Sequence, residues 1–201
     1  MSGSPVSTLV YLHGFRSSPQ SVKAQRVVHF VAGLPAAIRP RLHVPDLGSE
    51  PEAAVAGVAA WIAREVENPA RDLTLVGSSL GGFYATHLAE RFDARAVLIN
   101  PAIRPYDDLQ KYAGPQVNLY TGEPFDVLPA HFAQLRTLAV PVTRPERYFV
   151  LLRTGDEVLP WRESAAHYRG AWQYVAGGGD HGWTDFDPEL PTVLRFAGVP
   201  A

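Results

Sequence analysis

Leu73-Thr74-Leu75-Val76-Gly77-Ser78-Ser79-Leu80-Gly81-Gly82-Phe83-Tyr84 is the stretch that decides the fold. Its first four residues form a short apolar run of the kind that makes a buried strand. Leu80 to Phe92 then carries a helical pattern. Between them, Gly77, Ser79 and Gly81 satisfy G-x-S-x-G, the signature of a serine on a sharp strand-to-helix turn. The glycines have a steric reason, because side chains two positions either side of such a turn would collide. Ser78 is the alternative, but only Ser79 has glycine at both offsets.

The same alternation of strand and helix continues in both directions. Residues 8–12 are an apolar run ending in His13-Gly14. Residues 19–33 place Val22, Val27, Phe30 and Val31 on one helical face, closed by Gly33. Residues 41–44 form a second strand stopped by Pro45. Residues 51–67 form an Ala-rich helix, with Ser49 as cap and Glu52 completing a capping box. Further strands are expected at 96–99, 148–152 and 172–175, and further helices at 160–168 and 188–196. The strands are continuous apolar runs, so both of their faces need cover. The expected fold is a single α/β-hydrolase domain over residues 1–201. Its mostly parallel six-stranded sheet would have helices on both faces.

Residues 101–146 break the alternation. They hold seven of the eighteen prolines. The expectation is a short proline-rich cap or lid inserted over the carboxyl ends of the strands, where α/β sheets bind ligands. Tyr106, Tyr112, Tyr120 and Phe125 would either wall a pocket there or pack the loop.

A serine hydroxyl needs a base to take its proton and an acid to orient that base. On this fold the chain order is serine, acid, histidine. Of seven histidines, His13, His29 and His43 precede Ser79. His87 and His167 lie in expected helices, and His131 in the proline-rich insert. His181 lies on the glycine-rich stretch Gly177-Gly178-Gly179-Asp180-His181-Gly182 after the sixth strand, where a base belongs. Asp156, directly after the fifth strand, leads as acid, with Glu157, Asp126, Asp180 and Asp185 as alternatives. Two backbone N–H donors would hold an oxyanion, from Leu80 after the serine and from Phe15 after the first strand. His13 is read as a brace for that loop. His13, Arg16, Asn100 and Trp183 are candidates to line the substrate site.

Composition narrows the partners. There is no cysteine, so disulfides, thiolate metal sites and cysteine nucleophiles are excluded. The net charge is -2, which recommends neither nucleic acid nor an anionic membrane. No run is long enough to span a bilayer. Met1 to Thr8 does not read as a secretory signal, and a cytoplasmic location is the default. No cofactor or metal is implied, and the oligomeric state is left open.

The chain resembles the YqiA-like bacterial esterases, a family of small α/β-hydrolases. The resemblance rests on blocks in the same order along nearly the whole chain. It begins at Tyr11-Leu12-His13-Gly14-Phe15, Ser17-Ser18-Pro19 and Lys23-Ala24. It continues through Gly77 to Thr86, Asn100-Pro101-Ala102, Arg104-Pro105, Tyr120-Thr121-Gly122 and His131. It closes with Thr154-Gly155-Asp156-Glu157-Val158-Leu159 and Gly178-Gly179-Asp180-His181. The resemblance implies an esterase acting on short acyl esters, with acyl-CoA thioesters as further substrates. It carries a triad over to Ser79, Asp156 and His181. Arg16, Pro160-Trp161 and Gly182-Trp183 depart from the family pattern at positions expected to border the site.

Overall fold

The computed structural model describes residues 7–200. The reading of Met1 to Thr8 therefore falls, but for its last two residues, outside the described residues. The main sheet has six parallel strands: β1 (Thr8–Leu12), β2 (Arg41–His43), β3 (Leu73–Ser78), β4 (Arg95–Ile99), β7 (Tyr148–Arg153) and β8 (Trp172–Ala176). Their order is β2-β1-β3-β4-β7-β8. The sequence reading of a mostly parallel six-stranded sheet is met, with every pairing in it parallel.

The strands explain why their sequences do not alternate in polarity. Leu9 and Tyr11 of β1 face one layer, while Val10 and Leu12 face the other, and all four are buried. The first layer is closed by α1 (Val22–Gly33) and α8 (Leu190–Phe196) through Ala24, Val27, Val31, Leu190, Val193 and Leu194. The second is closed by α2 (Pro51–Glu65) and α4 (Leu80–Phe92), with α7 (Trp161–His167) packed partly against it. Burying both faces is the main driving force for this layered arrangement.

Residues 101–146 are more structured than an irregular insert. They contain α5 (Pro105–Asp108), an antiparallel hairpin of β5 (Gly114–Val117) and β6 (Pro124–Val127), and α6 (Pro129–Thr137). Pro105 and Pro129 occupy first helical turns, where the missing N–H costs nothing. A further short helix, α3 (Pro69–Asp72), leads into β3.

The capping box at Ser49 and Glu52 is not formed, which corrects the sequence reading. Glu50 is the N-cap of α2 and makes no side-chain cap hydrogen bond. Instead the Glu52 N–H donates to Gln134 Oε1 at 3.3 Å, and the Glu52 carboxylate accepts from Thr137 Oγ1 at 3.2 Å. Helix α6 thus supplies from a distance the acceptor that Ser49 was expected to supply locally. Among the described residues, no helix is long and apolar enough to cross a membrane.

Candidate active site

Strand β1 has β2 on one side and β3 on the other, so the connections after β1 and β3 leave the sheet in opposite directions. That divergence opens a crevice at the carboxyl ends of the two strands. Leu12 pairs with Gly77 there, which sets the loop after β1 beside the turn after β3. Ser79 occupies that turn with φ 55° and ψ -121°. A non-glycine residue in this region stores about 1–3 kcal/mol of backbone strain.

The turn survives because its neighbours over-determine it. The Ser79 N–H donates to Ile99 O at 3.1 Å, and Ser79 O accepts from Gly82 N at 2.9 Å and Ala102 N at 3.1 Å. The flanking glycines are sterically required. A Cβ on Gly77 would stand 2.2 Å from Gly81 O, and one on Gly81 would stand 2.0 Å from Leu12 O.

His181 reaches Ser79 from the far edge of the sheet. The loop after β8 folds back over β7, where Gly155 N donates to Gly178 O at 3.0 Å and Gly178 N to Thr154 Oγ1 at 2.8 Å. Gly178 and Gly179 have φ of 65° and 71°, a region open to glycine at little cost. The approach is close enough that a Cβ on Gly155 would meet Gly179 O at 2.3 Å. At the end of this path His181 Nε2 lies 3.0 Å from Ser79 Oγ, and His181 Nδ1 lies 2.8 Å from Asp156 Oδ2. The other oxygen, Asp156 Oδ1, accepts the N–H groups of Val158 at 2.9 Å and Leu159 at 2.8 Å. Burial pushes the Asp156 carboxyl up, but these hydrogen bonds outweigh it and hold its pKa below the usual value.

The structure thus brings Ser79, His181 and Asp156 together. The alternative acids are engaged elsewhere. Glu157 Oε2 accepts the His181 N–H at 3.0 Å, Asp180 Oδ1 accepts the Trp183 N–H at 2.8 Å, and Asp185 pairs with Arg153 at 2.6 Å. Asp126 lies in the β5–β6 hairpin. Among the other histidines, His87 bonds Leu138 O, His131 bonds Glu50, and His43 stacks on Trp61.

Phe15 and Leu80 stand on either side of the turn. The Phe15 N–H makes no turn or loop bond to a backbone acceptor among the described residues, and Leu80 opens α4, whose first N–H groups lack intrahelical partners. His13 is buried, and its Nε2 accepts the Leu47 N–H at 3.2 Å while Nδ1 lies 3.1 Å from Gly14 O. Accepting at Nε2 leaves the proton on Nδ1, so His13 is a neutral brace between two loops. Burial lowers its pKa accordingly, against the opposing pull of Gly14 O and Asp46.

Beside Gly14, Phe15 and Leu80 opens a cavity of about 810 Å³, which Arg16, Asp46 and Phe125 also line. The ring of Phe15 packs against Tyr112 at 5.4 Å and Phe125 at 5.9 Å. Arg16 borders the cavity but is committed to the hairpin. Its Nε donates to Val117 O at 3.1 Å, and its carbonyl accepts from Leu119 N at 2.9 Å. Asn118 Nδ2 adds a bond to Ser17 O at 2.9 Å.

Two expected lining residues are buried and do not border this cavity. Trp183 is 1% exposed and belongs to the layer under α1 and α8, stacked edge-on with Phe186 and lying under the Arg153 guanidinium. The packing leaves its indole N–H buried without a hydrogen-bond partner among the described residues, a cost that burial of the ring offsets. Asn100 is 2% exposed and serves the backbone instead. Its Nδ2 donates to His181 O at 3.3 Å and to Asp180 O at 3.4 Å, while its Oδ1 accepts from Arg153 N at 2.9 Å. Lys23, which sequence reasoning passed over except as part of a matching block, also meets the His181 loop. Among the described residues, no group of three or more His, Asp or Glu side chains is arranged to hold a metal ion.

Comparison with solved structures gives the fold. A protein of Agrobacterium vitis described as a hydrolase superposes with a TM-score of 0.73 at 18% identity, covering 96% of this chain and 88% of that one. The mouse alpha/beta hydrolase domain-containing protein 10 gives 0.69 at 19% identity, covering 98% and 92%. The esterase domain of a Rhodothermus marinus protein gives 0.69 at 17% identity, covering 98% and 88%. The family model for UPF0227, described as an uncharacterised protein family, matches residues 8–198, and this is the family that the YqiA-like blocks point to. With that match running from the start of β1 to just past the end of α8, the chain is a member of the UPF0227 family, built on the α/β-hydrolase fold.

Proposed function

We propose that this protein is a serine esterase that cleaves short-chain acyl esters through an acyl-enzyme on Ser79. The observation that carries the reading is the hydrogen-bonded chain Ser79–His181–Asp156, with links of 3.0 and 2.8 Å. In the proposed reaction Ser79 Oγ attacks the ester carbonyl as His181 Nε2 takes its proton. Asp156 keeps the remaining proton on Nδ1 and stabilises the imidazolium as it forms. The Phe15 and Leu80 N–H groups receive the oxyanion, helped by the positive end of α4. His181 then protonates the leaving alcohol. In the second step it activates water, which attacks the acyl carbonyl and frees Ser79.

We read residues 101–146 as a cap on a single hydrolase domain. The hydrogen bonds donated by Arg16 to Val117 O, by Asn118 to Ser17 O and by Leu119 to Arg16 O join the hairpin to the Phe15 loop and support this. The same chemistry applies to thioesters, and relative rates on nitrophenyl esters and acyl-CoA compare the two leaving groups. The test is a fluorophosphonate probe and a nitrophenyl ester assay on wild type and Ser79→Ala. Wild type should label at Ser79, and the variant should lose ~10⁶ in kcat. A Ser79→Ala protein that hydrolyses the ester at the wild-type rate overturns the reading.

A further inference from the structure

The imidazole of His181 must satisfy two partners at once, yet it rides on a loop containing Gly177, Gly178, Gly179 and Gly182. Glycine resists ordering more than any other residue, and a misplacement of ~1 Å in reacting groups can cost about 10²-fold in rate. The position of His181 therefore depends on what holds its backbone. From the β7 side, Glu157 accepts its N–H at 3.0 Å. From the end of β4, Asn100 donates to its carbonyl at 3.3 Å. From the opposite layer, Lys23 Nζ donates to His181 O at 3.2 Å and to Gly182 O at 2.7 Å.

Lys23 is itself fixed. It sits in the first turn of α1, where the Ser21 side chain caps the helix by accepting from Ala24 N at 3.4 Å. Lys23 is half-buried, and burial lowers its pKa to about 8, against the pull of Asp156 and Asp180. It is therefore charged at neutral pH, and a charged donor makes roughly twice as strong a hydrogen bond as a neutral one.

We infer that Lys23 is a positioning residue for the general base, pinning the backbone of His181 and Gly182 to the start of α1 so that the imidazole stays between Asp156 and Ser79. This rests on the proposed triad. The proposed steps give Lys23 no bond to make or break. The ionisable groups that act on its ammonium are the carboxylates of Asp156 and Asp180, while Glu157 takes the His181 N–H. On its own helix, Arg26 turns away to Asp187.

The test compares Lys23→Met, which keeps the length and removes the donors, with Lys23→Arg, which keeps a charged donor. Lys23→Met should lower both kcat and the rate of fluorophosphonate labelling by about 10–100-fold, with KM changed less than about twofold, and Lys23→Arg should recover part of that loss. If Lys23→Met does not fold, the alkaline pH profile decides. Wild-type kcat should decline above pH about 8 as the amine loses its charge, and Lys23→Arg should hold its rate there. A folded Lys23→Met that labels at the wild-type rate overturns the inference. So does a loss confined to KM, or a Lys23→Arg profile that declines with the wild-type midpoint. A wild-type protein that neither labels nor hydrolyses esters overturns the triad reading and this one with it. Normal wild-type labelling, unchanged in Lys23→Met, overturns the role of Lys23 alone.

Discussion

Asp156 divides its two carboxylate oxygens between two tasks: Oδ2 faces His181 Nδ1 at 2.8 Å, and Oδ1 takes the N–H groups of Val158 and Leu159. The backbone bonds fix the carboxylate plane, so the oxygen facing the histidine has little freedom to turn. Orientation of the His181 ring is thereby built into the turn after β7.

The first prediction concerns that division. Asp156→Asn keeps the shape and the acceptor at Oδ1 but can present an amide to Nδ1. The imidazole would then hold the wrong tautomer, and kcat should drop by ~10⁴ with little change in KM. Steady-state kinetics on a nitrophenyl ester check it, and a loss below tenfold would argue that another carboxylate serves.

Asn100 should matter for both rate and stability. Asn100→Ala leaves the part-buried Arg153 N–H without its acceptor and removes a donor to His181 O. An unsatisfied buried group costs about 1–3 kcal/mol. A lower denaturation midpoint together with reduced kcat is expected. Unchanged stability in urea unfolding would contradict the account.

Gly81 tests the steric reading of the turn. Its Cβ would stand 2.0 Å from Leu12 O, in backbone rather than in a side chain that could move aside. Gly81→Ala should cost at least the ~1–3 kcal/mol typical of overpacking, and thermal unfolding measures it. Gly57→Ala is the control, because nothing lies within 4 Å of its Cβ position. At that helical site alanine should be neutral or stabilising.

Acid should weaken the fold through histidine. Burial lowers the folded-state pKa of His13, His43 and His167 from 6.5. The unfolded chain then binds protons first as pH falls, so the stabilisation present above pH 6.5 is lost toward the lower folded values. The thermal midpoint should decline between about pH 7 and 5. His13→Gln should flatten part of that decline, and an identical slope in the variant would remove His13 as a contributor.

Much of the architecture was legible because parallel strands covered on both faces must be continuous apolar runs, and Leu73 to Val76 and Tyr148 to Leu152 are such runs. The helix from Leu80 to Phe92 was read to its ends, since Gly77 and Gly81 announce the turn that starts it. The order Ser79, Asp156, His181 was also visible, each residue standing just after a strand. Trp183 stands two residues from His181 in the chain, but that closeness says nothing about which layer its ring enters, and it packs under α1 and α8. The insert was obscured by prolines that hide helical periodicity, although two of them begin helices.

Chain order and spacing alone thus determined the alternating sheet, the strained serine turn and the strand ends from which a base and an acid could come. Local sequence carries that information, because a buried strand and a tight turn restrict residue type at each position. Only the tertiary structure decided which atoms meet. The Gln134 acceptor for α2, the Arg16 tie to the hairpin, and the hold of Asn100 and Lys23 on His181 all join segments distant in the chain. Several run to backbone groups. Every residue carries such groups, so these contacts leave no pattern in the sequence and exist only once the chain has packed.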